Sequence, residues 1–350
     1  MTPTRLHLVL MRPGFEEPLK DEFSARFSLT GTVACRAGVS FSDAVKLPKV
    51  VDSVFARQIL PRAVAFTGSD DSVVAGNICD RIDVMTKRGN RQSGAWTLHG
   101  FAIDDDDNLA RATRISKLVM AHVRTSQKEF LKRYLSPEVF ASTERAAADI
   151  LLQIYVPLND SAWFSSGTIA DGISVWEGGF QRMKTLHGAP SRSASKLEEA
   201  LAYLGVYPKE GDTAVDLGAA PGGWSFVLAR HGAHVQAVDH AALDLKDMGS
   251  LKGKIIHVKD NGLKFMPDQP VDWMVCDMVM GARDTLSVLK TWHESHAMRH
   301  FVVNIKLPKT NPWPQVSEAL ALIESFGWKS VKGRHLLHDR SEITLIGHES

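Results

Sequence analysis

Cysteine is scarce in this chain. Cys35, Cys79 and Cys276 are its three cysteines; they stand far apart and form no Cys-x-x-Cys pair. That excludes a disulfide framework and a cysteine-based zinc site, and the usage fits a reducing cytosol. No stretch approaches the roughly 18 apolar residues of a membrane-spanning helix. The opening segment MTPTRLHLVLMRPGFEE lacks a small-residue cleavage site and reads as a strand rather than a signal peptide. Charge of either sign is not in excess either. The net charge of +1 announces no polyanionic partner, so a nucleic acid must be met by a local basic patch. Internal repeats and long low-complexity segments are also missing. These absences lead to the expectation of a cytoplasmic protein with no membrane span and no metal.

What is present is an ordinary globular composition, 44% apolar and 23% charged over 350 residues. At about 150 residues per domain this length suggests two or three domains. In the first half, residues 5–11 read as a strand. Phe15, Leu19, Phe23 and Phe27 recur at a spacing that argues for a helix. A second strand is expected over 33–41, which closes an N-terminal α/β region over 1–50. A further unit over 51–160 carries expected strands at 62–66, 97–103 and 150–158, with helices at 70–85 and 109–134. Pro157, Asn159 and Asp160 mark a boundary, and residues 161–350 form the last region.

That last region alternates strand and helix. Strands are expected at 213–217, 234–239, 255–259, 271–276 and 300–305, with helices at 195–204, 223–231, 285–296 and 313–326. The alternation implies a mostly parallel Rossmann-like α/β sheet covered on both faces. Residues 328–333 and 342–347 follow each other with no room for a crossover helix, so they form an antiparallel edge.

The strongest local signal is Val215-Asp216-Leu217-Gly218-Ala219-Ala220-Pro221-Gly222-Gly223-Trp224, placed where a strand turns into a helix. Small residues let backbone approach a ligand closely, and a helix N-terminus offers free N–H groups. Asp239 ends the next strand, where a carboxylate accepts hydrogen bonds from ribose hydroxyls. Asp260 ends the third and is placed to reach an adenine amino group, and Asp277 ends the fourth. A glycine loop with a ribose acid also describes a nicotinamide dehydrogenase, but Gly-x-Gly-x-x-Gly is absent. No Asn/Asp-Pro-Pro-aromatic motif of amino-group methylation follows the fourth strand. Cys276, on an apolar strand, is expected to point into the core rather than to attack a base as a thiolate.

The run DLGAAPGGW resembles the signature of S-adenosylmethionine-dependent ribose 2′-O-methyltransferases of the FtsJ/RrmJ type, and the resemblance covers about residues 190–350. MRPGFEEPLKDEF, followed by an α+β unit, is similar to the bacterial large-subunit rRNA cytidine 2′-O-methyltransferases, which carry a THUMP domain before a class I methyltransferase domain. The resemblance implies S-adenosyl-L-methionine as cofactor, contacted by the loop from Gly218 through Pro221, Gly222, Gly223 and Trp224, by Asp239, Asp260 and Asp277, and by Ser191 near the methionine end. It further implies a Lys–Asp–Lys–Glu set, matched here by Lys196, Asp277, Lys306 and Glu342.

Such a set suits the chemistry. A ribose hydroxyl is a weak nucleophile, and transfer needs its oxygen in line with the methyl–sulfur bond and its proton drawn away. Lys306 is the expected handler of that proton. An ordinary lysine titrates near pH 10.4, so a second cation, Lys196, and partial burial are expected to lower its value. Asp277 and Glu342 would hold the two ammonium groups.

Lys117, Arg124, Lys128 and Lys132 recur at helical spacing and form a basic stripe, beside Arg111, Arg114 and Arg133. Lys87, Arg88 and Arg91 add a basic loop. The expected partner is RNA, namely 23S rRNA before full ribosome assembly. Methylation of another RNA, a tRNA or a cap, and a catalytically silent cofactor- and RNA-binding module are the competing readings.

Overall fold

The computed structural model describes every residue except 1–4, 88–93, 182, 184, 185, 245–250 and 350. Two compact units result, Met1–Gln181 and Arg182–Ser350.

In the first unit the elements are β1 (Leu6–Leu10), α1 (Glu16–Phe27), β2 (Thr32–Cys35), β3 (Gly38–Ser42), β4 (Gln58–Thr67), α2 (Asp71–Lys87), β5 (Trp96–Phe101), α3 (Asp106–Ser126), α4 (Lys128–Leu131), α5 (Pro137–Ser142), β6 (Ile150–Leu158) and β7 (Ser161–Thr168). The strand order is β2-β3-β1-β4-β7-β6-β5. β4 is long enough to pair with β1 through Gln58–Ala63 and with β7 through Val64–Thr67, so one sheet runs through the regions expected over 1–50 and 51–160. The turn signal at Asn159–Asp160 is the loop of a hairpin, because Leu158 pairs with Ser161. Residues 161–168 therefore belong to the first unit's sheet. Trp163 and Phe164 are buried on β7, but the serines around them hide the strand from a hydrophobic reading.

α2 and α3 cover one sheet face. Ala112, Ile115, Val119 and Val123 recur every three or four residues along α3 and are all buried against Ile78, Ile82 and Leu152. The Asp105 side chain caps α3 by accepting from Asn108 N–H. α3 ends at Ser126 because Gln127 leaves helical geometry, with φ −127° and ψ 52°. The single helix expected over 109–134 is thus two, and Lys128 and Lys132 do not continue the row begun by Lys117 and Arg124. Lys132 instead pairs with Glu129 at 2.7 Å.

The second unit contains α6 (Ala194–Leu204), β8 (Thr213–Leu217), α7 (Gly223–His231), β9 (His234–Val238), β10 (Ile255–Val258), β11 (Val271–Cys276), α8 (Ala282–Glu294), β12 (Met298–Lys306), α9 (Trp313–Glu324), β13 (Ser330–Arg334) and β14 (Glu342–His348). The order is β10-β9-β8-β11-β12-β14-β13. β8 to β12 are mutually parallel, and β14 runs antiparallel to both β12 and β13. The final pair is antiparallel as expected, but the chain first reaches the outer position with β13 and then turns back to insert β14 beside β12. β8 and β11 are buried along most of their length, the near-continuous apolar reading of strands covered on both faces. Trp273 and Trp292 are fully enclosed; truncating such a side chain costs about 3–5 kcal/mol.

Candidate active site

From β8 the chain winds outward through β9 and β10, and from β11 outward through β12 in the other direction. The reversal falls between β8 and β11, and in open parallel sheets ligands bind at the carboxyl ends of the strands there. The loop 218–222 leaves β8 at that point. Gly218 has φ +75°, and a Cβ on it would lie 2.1 Å from Met278 Cγ. Gly222 has φ +114° and caps α7 with no side chain, so the first-turn N–H groups receive no capping bond from it. A Cβ on Gly223 would lie 2.2 Å from Ser191 Oγ, which itself hydrogen-bonds Ser193 Oγ at 2.6 Å. Ser191 therefore closes against the loop. Pro221 is exposed at the loop's crest. The Trp224 indole is buried and donates to Ser193 O at 3.0 Å. The loop turns through two positive-φ glycines, exposes Pro221 and is held by the Trp224 hydrogen bond to Ser193 O.

The strand-end acids differ in environment. Asp239 Oδ2 accepts from Ala220 N–H at 3.0 Å and its Oδ1 from Ala241 N–H at 2.8 Å, so the carboxylate also staples the loop. Asp260 is exposed, two residues past β10, and accepts from Asn261 N–H. Asp216 lies inside β8, fully buried, and accepts from Ser225 Oγ at 2.7 Å. Burial pushes its carboxyl up to about 7 against the pull of the Ser225 hydrogen bonds.

Lys196 from α6, Asp277 after β11, Lys306 at the end of β12 and Glu342 at the start of β14 come together. Lys306 and Glu342 face each other in the β12–β14 register. Glu342 is buried and accepts from both lysines, Oε1 from Lys196 and Oε2 from Lys306. Lys196 Nζ also lies 3.8 Å from Asp277 Oδ1 and 3.9 Å from Asp339 Oδ1. Burial opposes the Lys196 charge, but Asp277, the Glu342 hydrogen bond and Asp339 outweigh it and raise its value, so Lys196 stays an ammonium. Burial likewise works against the Glu342 carboxylate, and the two lysine hydrogen bonds prevail and lower its value. Burial raises Asp277, tempered by Lys196 and by Asn304. Lys306 is the more exposed lysine, with 41% of its side chain accessible against 12% for Lys196.

Sequence reasoning passes over Asn304, Thr344 and Asp339. Asn304 stands two residues before Lys306 and Thr344 two after Glu342, on the same strand faces, and the two are paired in register. That period-two spacing is the signal that points to them. Cys276 is fully buried, and burial pushes its thiol up to about 12, so no thiolate nucleophile is present there.

In the first unit, Arg111 is buried and binds Asp71 at 2.9 Å and Gly68 O at 2.6 Å, while Arg114 binds Asp71 at 2.8 Å. These two arginines, expected beside the basic row, are structural. Lys117 and Arg124 line a shallow cavity of about 340 Å³ with Tyr134. A larger cavity, about 610 Å³, is lined by Arg5, Arg62, Phe66, Asn77, Arg81 and Ser166 among others, and the Arg81 guanidinium lies over the Phe66 ring, 5.5 Å from its centroid. It lies far in sequence from the lysine–carboxylate set and sets one carboxylate, Asp80, among its arginines. Arg88 and Arg91 of the expected basic loop lie outside the described residues.

Residues 189–311 match the family model of the FtsJ-like methyltransferases, a span that holds every expected site residue but Glu342. Over 96% of its length the chain is 31% identical to the ribosomal RNA large subunit methyltransferase M of Azoarcus sp. (strain BH72), covering 94% of that protein. It is 42% identical over 180 residues to the protein of the same name from Xanthomonas campestris pv. campestris (strain B100), which spans 49% of this chain and 51% of that one. The corresponding figure for Stenotrophomonas maltophilia (strain K279a) is 40% over 180 residues.

Proposed function

The chain belongs to the ribosomal RNA large subunit methyltransferase M family, and from that premise we propose that it methylates the ribose 2′-hydroxyl of a cytidine in 23S rRNA, with Lys306 taking the hydroxyl proton. It is an S-adenosylmethionine-dependent RNA methyltransferase with an FtsJ-like catalytic domain. The observation that carries the ribose reading is the pairing of Lys196 and Lys306 on one buried carboxylate, Glu342, beside Asp277.

The residues present fit the cofactor. The loop after β8 turns at Gly218 and Gly222, both with positive φ, beside the strand-end carboxylate of Asp239, and α7 starts without a side-chain cap. In this reading Asp239 accepts from the cofactor's ribose hydroxyls, Asp260 from its adenine amino group, and Ser191 stands near the methionine end. S-adenosylmethionine supplies an electrophilic methyl group carried on a sulfonium. Lys196, held as an ammonium, balances the negative charge of Glu342. The step needs the free amine of Lys306, which keeps one N–H for Glu342 and presents its lone pair to the 2′-hydroxyl. The bound cofactor would supply the methyl group that the ribose oxygen takes, and Lys306 Nζ would take the hydroxyl proton. Asp277 keeps Lys196 in place.

The first unit holds the RNA in this reading, as a THUMP-like module occupying its second part, residues 51–160. Lys117 and Arg124 are exposed cations on one face of α3, and the arginine-lined cavity adds a second basic surface. The protein works in the cytoplasm on RNA that is not yet fully assembled; among the described residues no helix is long and apolar enough to cross a membrane. Activity on protein-free 23S rRNA but not on assembled subunits checks the timing.

The test is Lys306→Ala. It folds and binds cofactor and RNA, yet transfers methyl groups about 10²–10⁴-fold more slowly, the usual worth of general-base help. Lys306→Arg does not restore the rate, because a guanidinium keeps its proton. Near-normal transfer by Lys306→Ala contradicts the assignment.

A further inference from the structure

Behind Asp277 lies a set of buried polar groups that the transfer step does not use. Asn304 is 3% exposed, while Thr344 and Asp339 are fully buried. Asn304 Nδ2 donates to Asp277 Oδ1 at 2.7 Å. This fixes the amide, since the opposite orientation would set its oxygen against the carboxylate. Asn304 Oδ1 then faces Thr344 Oγ1 at 2.6 Å and can only accept. A hydroxyl has one hydrogen, so Thr344 donates it to Asn304. Thr344 Oγ1 also lies 3.1 Å from Asp339 Oδ2. With its hydrogen turned to Asn304, Thr344 presents a lone pair there, and attraction requires the hydrogen to come from Asp339.

The surroundings of Asp339 agree with a protonated carboxyl. Burial raises it well above the usual carboxylate range, against the pull of Lys196 and of Leu336 N–H, and the nearby carboxylates Glu342 and Glu199 push the same way as burial. Leu336 N–H donates to Asp339 Oδ2 at 2.9 Å, which holds the carboxyl in its orientation.

We propose that Asp339, Thr344 and Asn304 form a one-way chain of hydrogen bonds that fixes the Asp277 carboxylate and, through it, Lys196. The donors run in one direction, from Asp339 to Thr344, from Thr344 to Asn304, and from Asn304 to Asp277. The oxygen at the end of the chain, Asp277 Oδ1, is the one that faces Lys196 Nζ at 3.8 Å. Asn304–Thr344 and Lys306–Glu342 are successive pairs on one face of the same two strands, separated by the Ile305–Ile343 pair, so the chain lies next to the lysine–carboxylate set. These three are positioning residues: they touch neither substrate nor cofactor. The inference rests on the reading of Asp277 as part of the transfer site.

Thr344→Val replaces the hydroxyl by a methyl group of similar size. Single-turnover transfer to protein-free 23S rRNA at saturating S-adenosylmethionine falls about ten-fold, the worth of one hydrogen bond to a charged or polar partner. Dissociation constants for cofactor and RNA stay unchanged, a split that loss of packing alone does not produce. Thr344→Ser recovers most of the rate. If Thr344→Val does not fold, Asn304→Ala cuts the same chain one link on and gives the same split. Wild-type transfer by Thr344→Val, or by Asn304→Ala, overturns the chain. Asp277→Ala separates the two readings. If it transfers normally, the role of Asp277 fails; if it is slow while Thr344→Val is normal, only the chain fails.

Discussion

The glycine loop and the lysine–carboxylate set occupy the same sheet edge and are built by opposite means. The loop is local: Gly218, Gly222 and Gly223 fall within six residues, and its shape follows from backbone angles and missing Cβ atoms. The set is assembled from four segments, with Lys196 and Glu342 separated by 146 positions, and it depends on buried charges meeting at the correct places. The loop can therefore give up one hydrogen bond and weaken in proportion. The set responds collectively, because each charge is the solvation of the next once water is excluded.

The largest expected effect comes from breaking the set. Glu342→Ala leaves Lys196 and Lys306 without their shared partner, and breaking a buried pair costs about 3–5 kcal/mol of stability. Transfer falls at least as far as in Lys306→Ala. The Glu342 value is lowered in the folded state, so its contribution is present above the ordinary carboxylate value near 4.3 and is lost as pH falls through the folded value. Denaturant titrations of wild type and variant should thus converge in acid. A variant as stable as wild type at neutral pH would show that the two lysines do not depend on this carboxylate.

Asp216 sharpens the comparison, since it is a buried acid on the loop's own strand. Its value is raised from 3.8 to about 7, so the folded state keeps a proton that the unfolded chain has released. Stability therefore falls as pH rises between these values, by on the order of 4 kcal/mol at about 1.4 kcal/mol per unit. Asp216→Asn removes that slope, and its stability relative to wild type improves from pH 5 to pH 8 by about 3 kcal/mol, because the slope acts only up to about 7. Parallel pH curves for the two proteins would place Asp216 in a wetter setting.

A smaller and graded effect is expected at the loop. Asp239→Ala removes a charged acceptor and the staple to Ala220 N–H, and weakens S-adenosylmethionine binding by roughly 1.5–3 kcal/mol in calorimetry. Methyl transfer at saturating cofactor changes little by comparison. Unchanged affinity would remove Asp239 from the cofactor site.

The smallest effect lies outside both. Lys117→Glu with Arg124→Glu weakens RNA binding and flattens its salt dependence by about 0.7 in slope for each single-strand phosphate no longer neutralised. Cofactor affinity holds. RNA affinity that does not move would make that face of α3 an ordinary solvated one.

What could be read from the sequence follows the same division. The motif from Val215 to Trp224 was legible because its information lies in consecutive residues, and its strand–turn–helix setting is observed. Lys196, Asp277, Lys306 and Glu342 were named through family resemblance, since no local rule brings residues from four segments together. Asn304, Thr344 and Asp339 escaped because a buried hydrogen-bond chain has no charge pattern or periodicity of its own beyond the two-residue step. The hairpin at Asn159–Asp160 resembled a boundary because turn residues look alike inside and between units. The break at Gln127 was invisible because α4 resumes the helical pattern one residue later, in a different direction of side chains.

The most direct test of the account is the position of the methyl group. Protein-free 23S rRNA is incubated with the enzyme and labelled S-adenosylmethionine, digested, and the modified nucleotide is analysed by mass spectrometry and alkaline hydrolysis. The account predicts one label on a cytidine ribose and resistance to alkaline cleavage at the 3′ side of that nucleotide, because a methylated 2′-oxygen cannot attack the neighbouring phosphate. A methyl group on a base, with the adjacent phosphodiester still cleaved by alkali, contradicts it.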